Sequence, residues 1–255
     1  MCRLLGVVAN RNAPLVGLLG AELDPFRRLS EVHCDGWGIA YWDEHDNLRS
    51  AKAPEAALGS TAFDAAADSA ATDAALLHLR KASVGMPNGP QNTHPFQAGS
   101  IAFAHNGYIH PTETLDGLLG TAHGPAPIGD TDSERYFDIL LAALRDSGPV
   151  EALDRTITAI TDAAEFISLN CLLLTHDALY AAVRFDAAAV AAKGDDPDTY
   201  TLRFWSRPDS VIVASSGWDQ AAPDWEDLND GQLLEIRRHD LRTTVHRLRR
   251  SRSAA

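Results

Sequence analysis

The sequence has few cysteines, no long apolar run and no surplus of basic residues, and each absence narrows the kind of protein that it encodes. Its three cysteines, Cys2, Cys34 and Cys171, are odd in number and include no CxxC pair, which argues against a disulfide framework. No segment approaches the roughly 18 uninterrupted apolar residues of a membrane-spanning helix. We therefore expect free thiols in a reducing compartment and a cytoplasmic protein without a membrane partner.

Basic residues are outnumbered, since 22 Lys and Arg stand against 35 Asp and Glu and give a formal net charge of −13. An acidic surface repels nucleic acids and anionic membranes unless it carries a dense basic patch. The one basic stretch runs from Arg237 to Arg252, and a solvated last strand with a frayed end over 249–255 is its ordinary interpretation. We expect no nucleic-acid partner, and small polar metabolites as ligands.

The order of apolar segments predicts the fold class. A chain of 255 residues with 45% apolar content can fill one large core, so we expect a single domain over residues 1–255. Strand-like runs dominate the first half, two helices are predicted over Asp132–Asp146 and Val150–Ala163, and strand-like segments follow to Leu248. Strands, helices and strands without βαβ alternation indicate an α+β fold built on antiparallel sheets.

Cys2 is the first candidate for chemistry, because removal of Met1 would place a thiol and a free α-amine on one residue. An α-amine has an ordinary pKa of about 7.7–8.0 and a thiol about 8.5, so the amine can accept the thiol proton near neutral pH. Cys2 would then be a nucleophile that carries its own base. Taken alone, a small buried side chain on a first strand is the more frequent role of such a cysteine.

Asn106 and Gly107 follow an apolar run and allow two interpretations. An Asn-Gly pair between apolar segments is the strongest short signal for a hairpin with a type I′ turn. Alternatively, the Asn106 side-chain amide and the Gly107 backbone N–H could donate together to the oxyanion of a tetrahedral intermediate.

Two charged residues are candidates for binding a substrate. Arg80 ends an apolar strand, where its guanidinium could hold a carboxylate through two parallel hydrogen bonds, or could simply lie at the surface. Thr131 and Glu134 have capping-box spacing before a helical segment. Asp132 is then left either to complement the helix dipole or to accept a substrate ammonium.

Further candidates lie in two short motifs. Gly36 and Trp37 stand at a strand start, where a turn or a pocket wall is expected. His94 precedes Pro95 and should be held extended, so that its imidazole has a fixed direction. A core or surface position is the alternative for this histidine.

Together these motifs resemble the class II glutamine amidotransferases, and specifically the small stand-alone members without a synthase domain. The resemblance covers about the first 135 residues closely and the later strands loosely. Its motifs are MCRLLG at 1–6, DGWGIA at 35–40, HLRKAS at 78–83, NTHPF at 92–96, AHNG at 104–107 and GDTDSE at 129–134.

The resemblance implies a four-layer αββα sandwich of antiparallel sheets, the fold of N-terminal-nucleophile hydrolases. It also implies hydrolysis of a glutamine side-chain amide through a γ-glutamyl thioester, without cofactor or metal. The implied roles are nucleophile and base for Cys2, oxyanion donors for Asn106 and Gly107, carboxylate and ammonium binding for Arg80 and Asp132, and pocket lining for Ser83, His94, Gly36 and Trp37.

The substrate and its partners are open at this stage. A similar relative hydrolyses a γ-glutamyl bond in thiol-histidine metabolism, so a γ-glutamyl conjugate of a small metabolite is the first alternative to glutamine. A non-catalytic glutamine sensor is the second. If glutamine is the substrate, the released ammonia could pass to a partner protein.

A metal hydrolase is the least favoured alternative. Its histidines would be His78, His94, His105, His110 and His123, and none of them falls in an HExxH or HxH pattern.

Overall fold

The computed structural model describes residues 1–83, 85–119, 127–220 and 222–249. Within these ranges the strands are β1 (Arg3–Pro14), β2 (Gly36–Trp42), β3 (Leu48–Ala53), β4 (Ala71–Arg80), β5 (Phe96–Ala98), β6 (Ile101–His110), β7 (Glu165–Leu174), β8 (Ala178–Val183), β9 (Leu202–Ser206), β10 (Ser210–Ser215), β11 (Glu226–Leu228), β12 (Gln232–Arg237) and β13 (Thr243–Arg247). The α-helices are α1 (Leu15–Leu19), α2 (Leu23–Arg28), α3 (Thr61–Ser69), α4 (Thr112–Leu119), α5 (Asp132–Leu144), α6 (Pro149–Ala163) and α7 (Ala187–Lys193).

Two antiparallel sheets form the centre of the molecule. The first sheet has the strand order β11-β9-β10-β1-β4-β2-β3, and the second has the order β13-β12-β8-β7-β6-β5. The first strand therefore lies in the middle of its sheet, between β10 and β4. The residues that follow Cys2 in β1 therefore have a neighbouring strand on each side.

Three apolar cores separate four layers. The core between the sheets contains Leu4, Val8 and Leu76, whereas Leu5 and Leu77 belong to the core under α1, α2 and α3. A third core packs α4, α5 and α6 against the other face of the second sheet. Because side chains alternate along a strand, each sheet supplies one face to each of its two cores. This arrangement confirms the αββα sandwich.

The two long helices begin where their sequences predict. Thr131 caps α5 by accepting from the Glu134 amide at 3.1 Å, while the Glu134 carboxylate accepts from the amides of Ile128 and Gly129. Helix α6 has Pro149 in its first turn, where the missing N–H removes no helical bond. Burial of one apolar face fixes both helices on the second sheet.

Some elements differ from what their sequences predict. Residues Pro54–Ala71 have helical spacing, but the helix forms only over Thr61–Ser69, with Ser60 as its N-cap. The polar residues 193–198 contain Gly and Pro and predict an exposed turn, and the segment is mostly exposed, with only Lys193 belonging to α7. Helix α7 itself, an alanine-rich segment capped by Asp186, was not predicted. Strand β3 was also not predicted, because its pattern is mostly polar and lies at the edge of the sheet.

The helices and the C-terminal tail relate to two expectations from the sequence. None of the helices in the described ranges is long and apolar enough to cross a membrane. Of the expected frayed tail at 249–255, only Arg249 is described, and it ion-pairs with Asp154.

Candidate active site

One end of the interface between the sheets is polar, and three predicted residues occupy inner-face positions on their strands at this end. Cys2 shares the inner face of β1 with Leu4, and Arg80 shares the inner face of β4 with Leu76. Asn106 continues the inner face of β6 beyond Ala104. The two sheets are joined at this end by the His78 ring, whose Nε2 donates to the His105 carbonyl at 3.2 Å.

The sulfur of Cys2 lies against the end of β4. The Lys81 amide donates to Cys2 Sγ at 3.4 Å, and the thiol lies 3.7 Å from the Lys81 carbonyl oxygen. Register explains this contact, because Arg3 is paired with Leu79 and the preceding residue therefore lies beside Arg80. Cys2 is 9% exposed, so its thiol is sheltered from solvent.

The surroundings of Cys2 have opposing effects on the pKa of its thiol. Burial raises the pKa of the Cys2 thiol, while the Lys81 amide, the N-terminal amine and Arg80 act in the opposite direction. Burial also lowers the pKa of the N-terminal amine, here that of Met1, which favours the neutral base. A neutral amine beside a protonated thiol is the starting state for proton transfer between them.

Arg80 is held by the loop that follows it. Its guanidinium donates to the side-chain oxygen of Asn88 and, at 3.4 Å, to the Pro87 carbonyl. The Asp35 carboxylate accepts from the Ala82 amide at 2.8 Å and from the Asn88 side chain at 3.4 Å. Arg80 is 3% exposed, so the loop orients a buried guanidinium.

Asp35 and Asn88 were missed by the sequence analysis. Asp35 is the first residue of the DGWG motif, in which only Gly36 and Trp37 were predicted as site residues. Its contacts with Ala82 and Asn88 span a long stretch of sequence, and no local pattern encodes them.

The expectation of a type I′ turn at Asn106 and Gly107 is wrong, because both residues lie inside β6. They pair with Asn170 and Leu169 of β7. A Cβ built on Gly107 would lie 1.7 Å from the Ser168 carbonyl oxygen, so the close approach of β7 requires glycine. Asn106 is 1% exposed, and its Oδ1 has no hydrogen-bond partner among the described residues.

Asp132 joins α5 to β6. Its carboxylate accepts from the Ile109 amide at 2.8 Å and from the Ser133 amide at 2.8 Å. The Ser133 hydroxyl lies 2.9 Å from His105 Nδ1, and His105 Nε2 lies 3.1 Å from the Ser168 carbonyl. Burial lowers the pKa of His105, which favours the neutral ring, and Nε2 donates to the Ser168 carbonyl because that oxygen can only accept. The single hydroxyl hydrogen of Ser133 has two acceptors within reach, His105 Nδ1 and, at 3.2 Å, Asp132 Oδ1.

The remaining predicted residues lie in different surroundings. His94 is buried between the rings of His78 and Phe96, with centroid distances of 4.1 and 4.7 Å, and neither of its ring nitrogens has a partner among the described residues. Gly36 pairs with Arg80 and packs on Thr93. Ser83 is exposed in the loop after β4.

Trp37 faces away from the inner layer. Its ring packs edge-on against Phe63 of α3 at 5.3 Å, within the core on the outer side of the first sheet. Alternation along β2 causes this placement, because Gly36 and Gly38 take the inner positions on either side of it.

The alternative of a metal hydrolase finds no support in the described ranges. The only group of three potential ligands with close ligand atoms there is His176, Asp177 and His239, which contains none of the five proposed histidines. Of those five, His123 lies outside the described residues.

Comparison with known proteins gives a consistent result. The family profile "Glutamine amidotransferases class-II" matches residues 1–255. The γ-glutamyl-hercynylcysteine sulfoxide hydrolase of Mycolicibacterium smegmatis is 26% identical over 225 residues, which cover 88% of this chain and 87% of that protein. The glutamine–fructose-6-phosphate aminotransferase of Vibrio vulnificus is 33% identical over 175 residues, covering 67% of this chain and 27% of that enzyme.

A solved structure agrees with the fold. The glutamine aminotransferase class-II domain protein from Silicibacter pomeroyi superimposes with a TM-score of 0.70 at 19% identity, covering 98% of this chain and all of that one. The profile match over the whole chain, together with the αββα sandwich, shows that the protein belongs to the class II glutamine amidotransferases.

Proposed function

We propose that the protein is a cysteine-dependent hydrolase that cleaves the γ-amide bond of a γ-glutamyl substrate, with glutamine as the donor. The observation that carries the proposal is the position of Cys2, whose sulfur accepts from the Lys81 amide beside the buried Arg80. Removal of Met1 is part of the proposal, since the base must be the α-amine of Cys2 itself.

The substrate's two ends have separate partners in this proposal. Arg80 holds the α-carboxylate and Asp132 the α-ammonium, while the γ-amide reaches Cys2. Both Arg80 and Asp132 act electrostatically on the Cys2 thiol, which supports their position around one site. Ser83, His94 and Gly36 line the same cavity in the proposal; Trp37 supports β2 from behind.

The reaction then proceeds in two halves. The α-amine accepts the thiol proton, the sulfur bonds to the γ-carbon, and the carbonyl oxygen becomes an oxyanion held by Asn106 and Gly107. The amine returns the proton to the leaving nitrogen as the C–N bond breaks, which leaves a γ-glutamyl thioester. Water then cleaves the thioester in the same sequence, regenerating the thiol and releasing glutamate.

A γ-glutamyl conjugate is the second candidate substrate. The relative whose printed name specifies a γ-glutamyl hydrolase matches 88% of this chain, a larger share than the 67% matched by the fructose-6-phosphate aminotransferase. Both candidates present the same γ-glutamyl group to Cys2 and differ only in the amine that leaves. With glutamine, the product ammonia would be released or passed to a partner protein.

The test combines intact mass with product assays. Purified wild-type protein should lack Met1 and release glutamate from glutamine, or from γ-glutamyl-p-nitroanilide as a model conjugate, whereas Cys2→Ala should release none. Cys34→Ser is the matched control, since Cys34 is an exposed cysteine that lies just before the start of β2.

Each result has a definite meaning. Activity retained in Cys2→Ala would overturn the proposed mechanism. Hydrolysis of the conjugate without hydrolysis of glutamine would select the second candidate. Glutamine binding by calorimetry without turnover of either compound would identify a sensor instead.

A further inference from the structure

A cluster of potential metal ligands lies at the opposite end of the sandwich from Cys2. His176 and Asp177 occupy the turn between β7 and β8, and His239 occupies the turn between β12 and β13. One ligand atom from each of the three lies within 4.8 Å of the others, and all three side chains are exposed. Strand β4 passes this end at Asp73 and reaches the candidate active site at Arg80, so the two ends are on the order of 20 Å apart.

Arg238 fixes the two turns against each other. It is 3% exposed, its backbone amide donates to the Asp177 carbonyl at 2.9 Å, and its Nη1 donates to the His176 carbonyl at 3.2 Å. Its remaining guanidinium nitrogens donate to Asp73 at 2.6 Å and to Asp46 at 2.8 Å. The backbones of His176 and Asp177 are therefore held before any ion arrives, and His239 directly follows the buried Arg238, which lowers the entropy cost of binding.

The side chains around His176 are also arranged in a way that suits a metal ligand. His176 Nδ1 lies 2.9 Å from Asp177 Oδ1, and His176 Nε2 lies 3.8 Å from Asp46 Oδ1. Its ring packs against the edge of Trp42 at 5.2 Å, which restricts its rotation. A histidine that binds a metal through one nitrogen commonly presents the other to a carboxylate, and Asp46 faces that nitrogen of His176 at ion-pair rather than hydrogen-bond distance.

We propose that His176, Asp177 and His239 bind one divalent transition-metal ion of the zinc type, which links the β7–β8 and β12–β13 turns. Two imidazoles and one carboxylate suit Zn²⁺ better than Mg²⁺ or Ca²⁺, which prefer oxygen ligands. Solvent completes the coordination, because the three side chains are exposed. No metal was expected from the sequence, because His239 lies more than 60 residues from His176 and Asp177 and no local pattern connects them.

The first experiment measures Zn²⁺ binding by calorimetry on metal-free, reduced, full-length protein. We expect one ion per chain, and binding weakened roughly tenfold or more in His239→Gln and in Asp177→Ala. The controls are His110→Gln, another exposed histidine, and Cys34→Ser, an exposed thiol that could bind zinc by itself. Circular dichroism verifies that each variant is folded.

The second experiment uses Co²⁺ as a spectroscopic probe. Ligation by nitrogen and oxygen should produce visible d–d bands without the near-ultraviolet charge-transfer band of a thiolate ligand. Unchanged zinc affinity in His239→Gln, loss of binding in Cys34→Ser, or a thiolate band with Co²⁺ would each overturn the proposal. Hydrolysis by Cys2 does not enter either readout, so the result is independent of the proposed function.

Discussion

The amide nitrogen of Lys81 lies 3.4 Å from the sulfur of Cys2, across two strands that are antiparallel neighbours. This contact places the nucleophile of the proposed reaction one residue from Arg80, the proposed carboxylate ligand. In the proposal, substrate recognition by Arg80 and attack by Cys2 therefore both depend on the end of β4. Substitutions of individual site residues should nevertheless separate effects on KM from effects on kcat.

Replacement of Arg80 by lysine should weaken substrate binding more than turnover. Lysine keeps the charge but loses the paired N–H groups that match a carboxylate, so we expect KM to rise about 10-fold to 100-fold. Steady-state kinetics with the active substrate measure this effect, with Arg28→Lys, an exposed arginine of α2, as the control. An unchanged KM would show that Arg80 does not hold the carboxylate.

Replacement of Asn106 by alanine should act on turnover instead. Loss of one oxyanion donor raises the barrier by about 3 kcal/mol, which corresponds to a fall in kcat of about 100-fold, with little change in KM. The Oδ1 of Asn106 has no hydrogen-bond partner among the described residues, so the substitution breaks no bond at that atom. A kcat close to that of the wild type would contradict the assignment, provided that circular dichroism shows a native fold.

The structure also predicts that glycine is required at position 107. The Cβ of Gly107→Ala would overlap the backbone oxygen of Ser168, which cannot move without disturbing β7, so we expect a loss of about 3 kcal/mol in the free energy of unfolding. Gly117 of α4 is the matched control, because its Cβ would meet nothing within 4 Å. Gly117→Ala should stabilise the protein by about 0.5–1 kcal/mol, and urea unfolding measures both values. Equal stability of the two variants would contradict the close approach of β7.

Buried histidines should make the fold sensitive to acid. Burial lowers the pKa of His78 to about 3 and that of His33 to about 4, from the ordinary 6.5. Between these values and 6.5 the unfolded chain binds protons that the folded chain does not. The free energy of unfolding should therefore decrease as the pH falls from 6.5 towards 4, by on the order of 1–2 kcal/mol for His78 between pH 6.5 and 5.

Urea unfolding at pH 7 and pH 5 tests this prediction in the wild type and in His78→Gln. Glutamine keeps an N–H donor for the His105 carbonyl but does not titrate, so the variant should lose less stability on acidification. Burial raises the pKa of Asp138 to about 6, which acts in the opposite sense below that pH, and its effect cancels in the difference between the two proteins. The same decrease in both proteins would contradict the role of His78.

The sequence pattern was sufficient for the α+β class of the fold but not for the course of the chain at the site. Short apolar runs in β1 and β4 and the apolar face of α5 predicted strands and a helix, because each pattern lies within a short segment. The Asn106–Gly107 pair gave the wrong local structure, because pairing with β7 outweighs the preference of Asn-Gly for a turn.

The sequence alone determined the nucleophile candidate, the family motifs and an α+β fold on antiparallel sheets, since these depend on residue type and spacing along the chain. The αββα order was implied by the family resemblance that those motifs carry. Only the tertiary structure decided that Trp37 faces outwards, that Asp35 holds the loop after Arg80, and that His239 meets His176. The reason is physical: these relations depend on strand register and long-range burial, which bring together residues that no local sequence pattern connects.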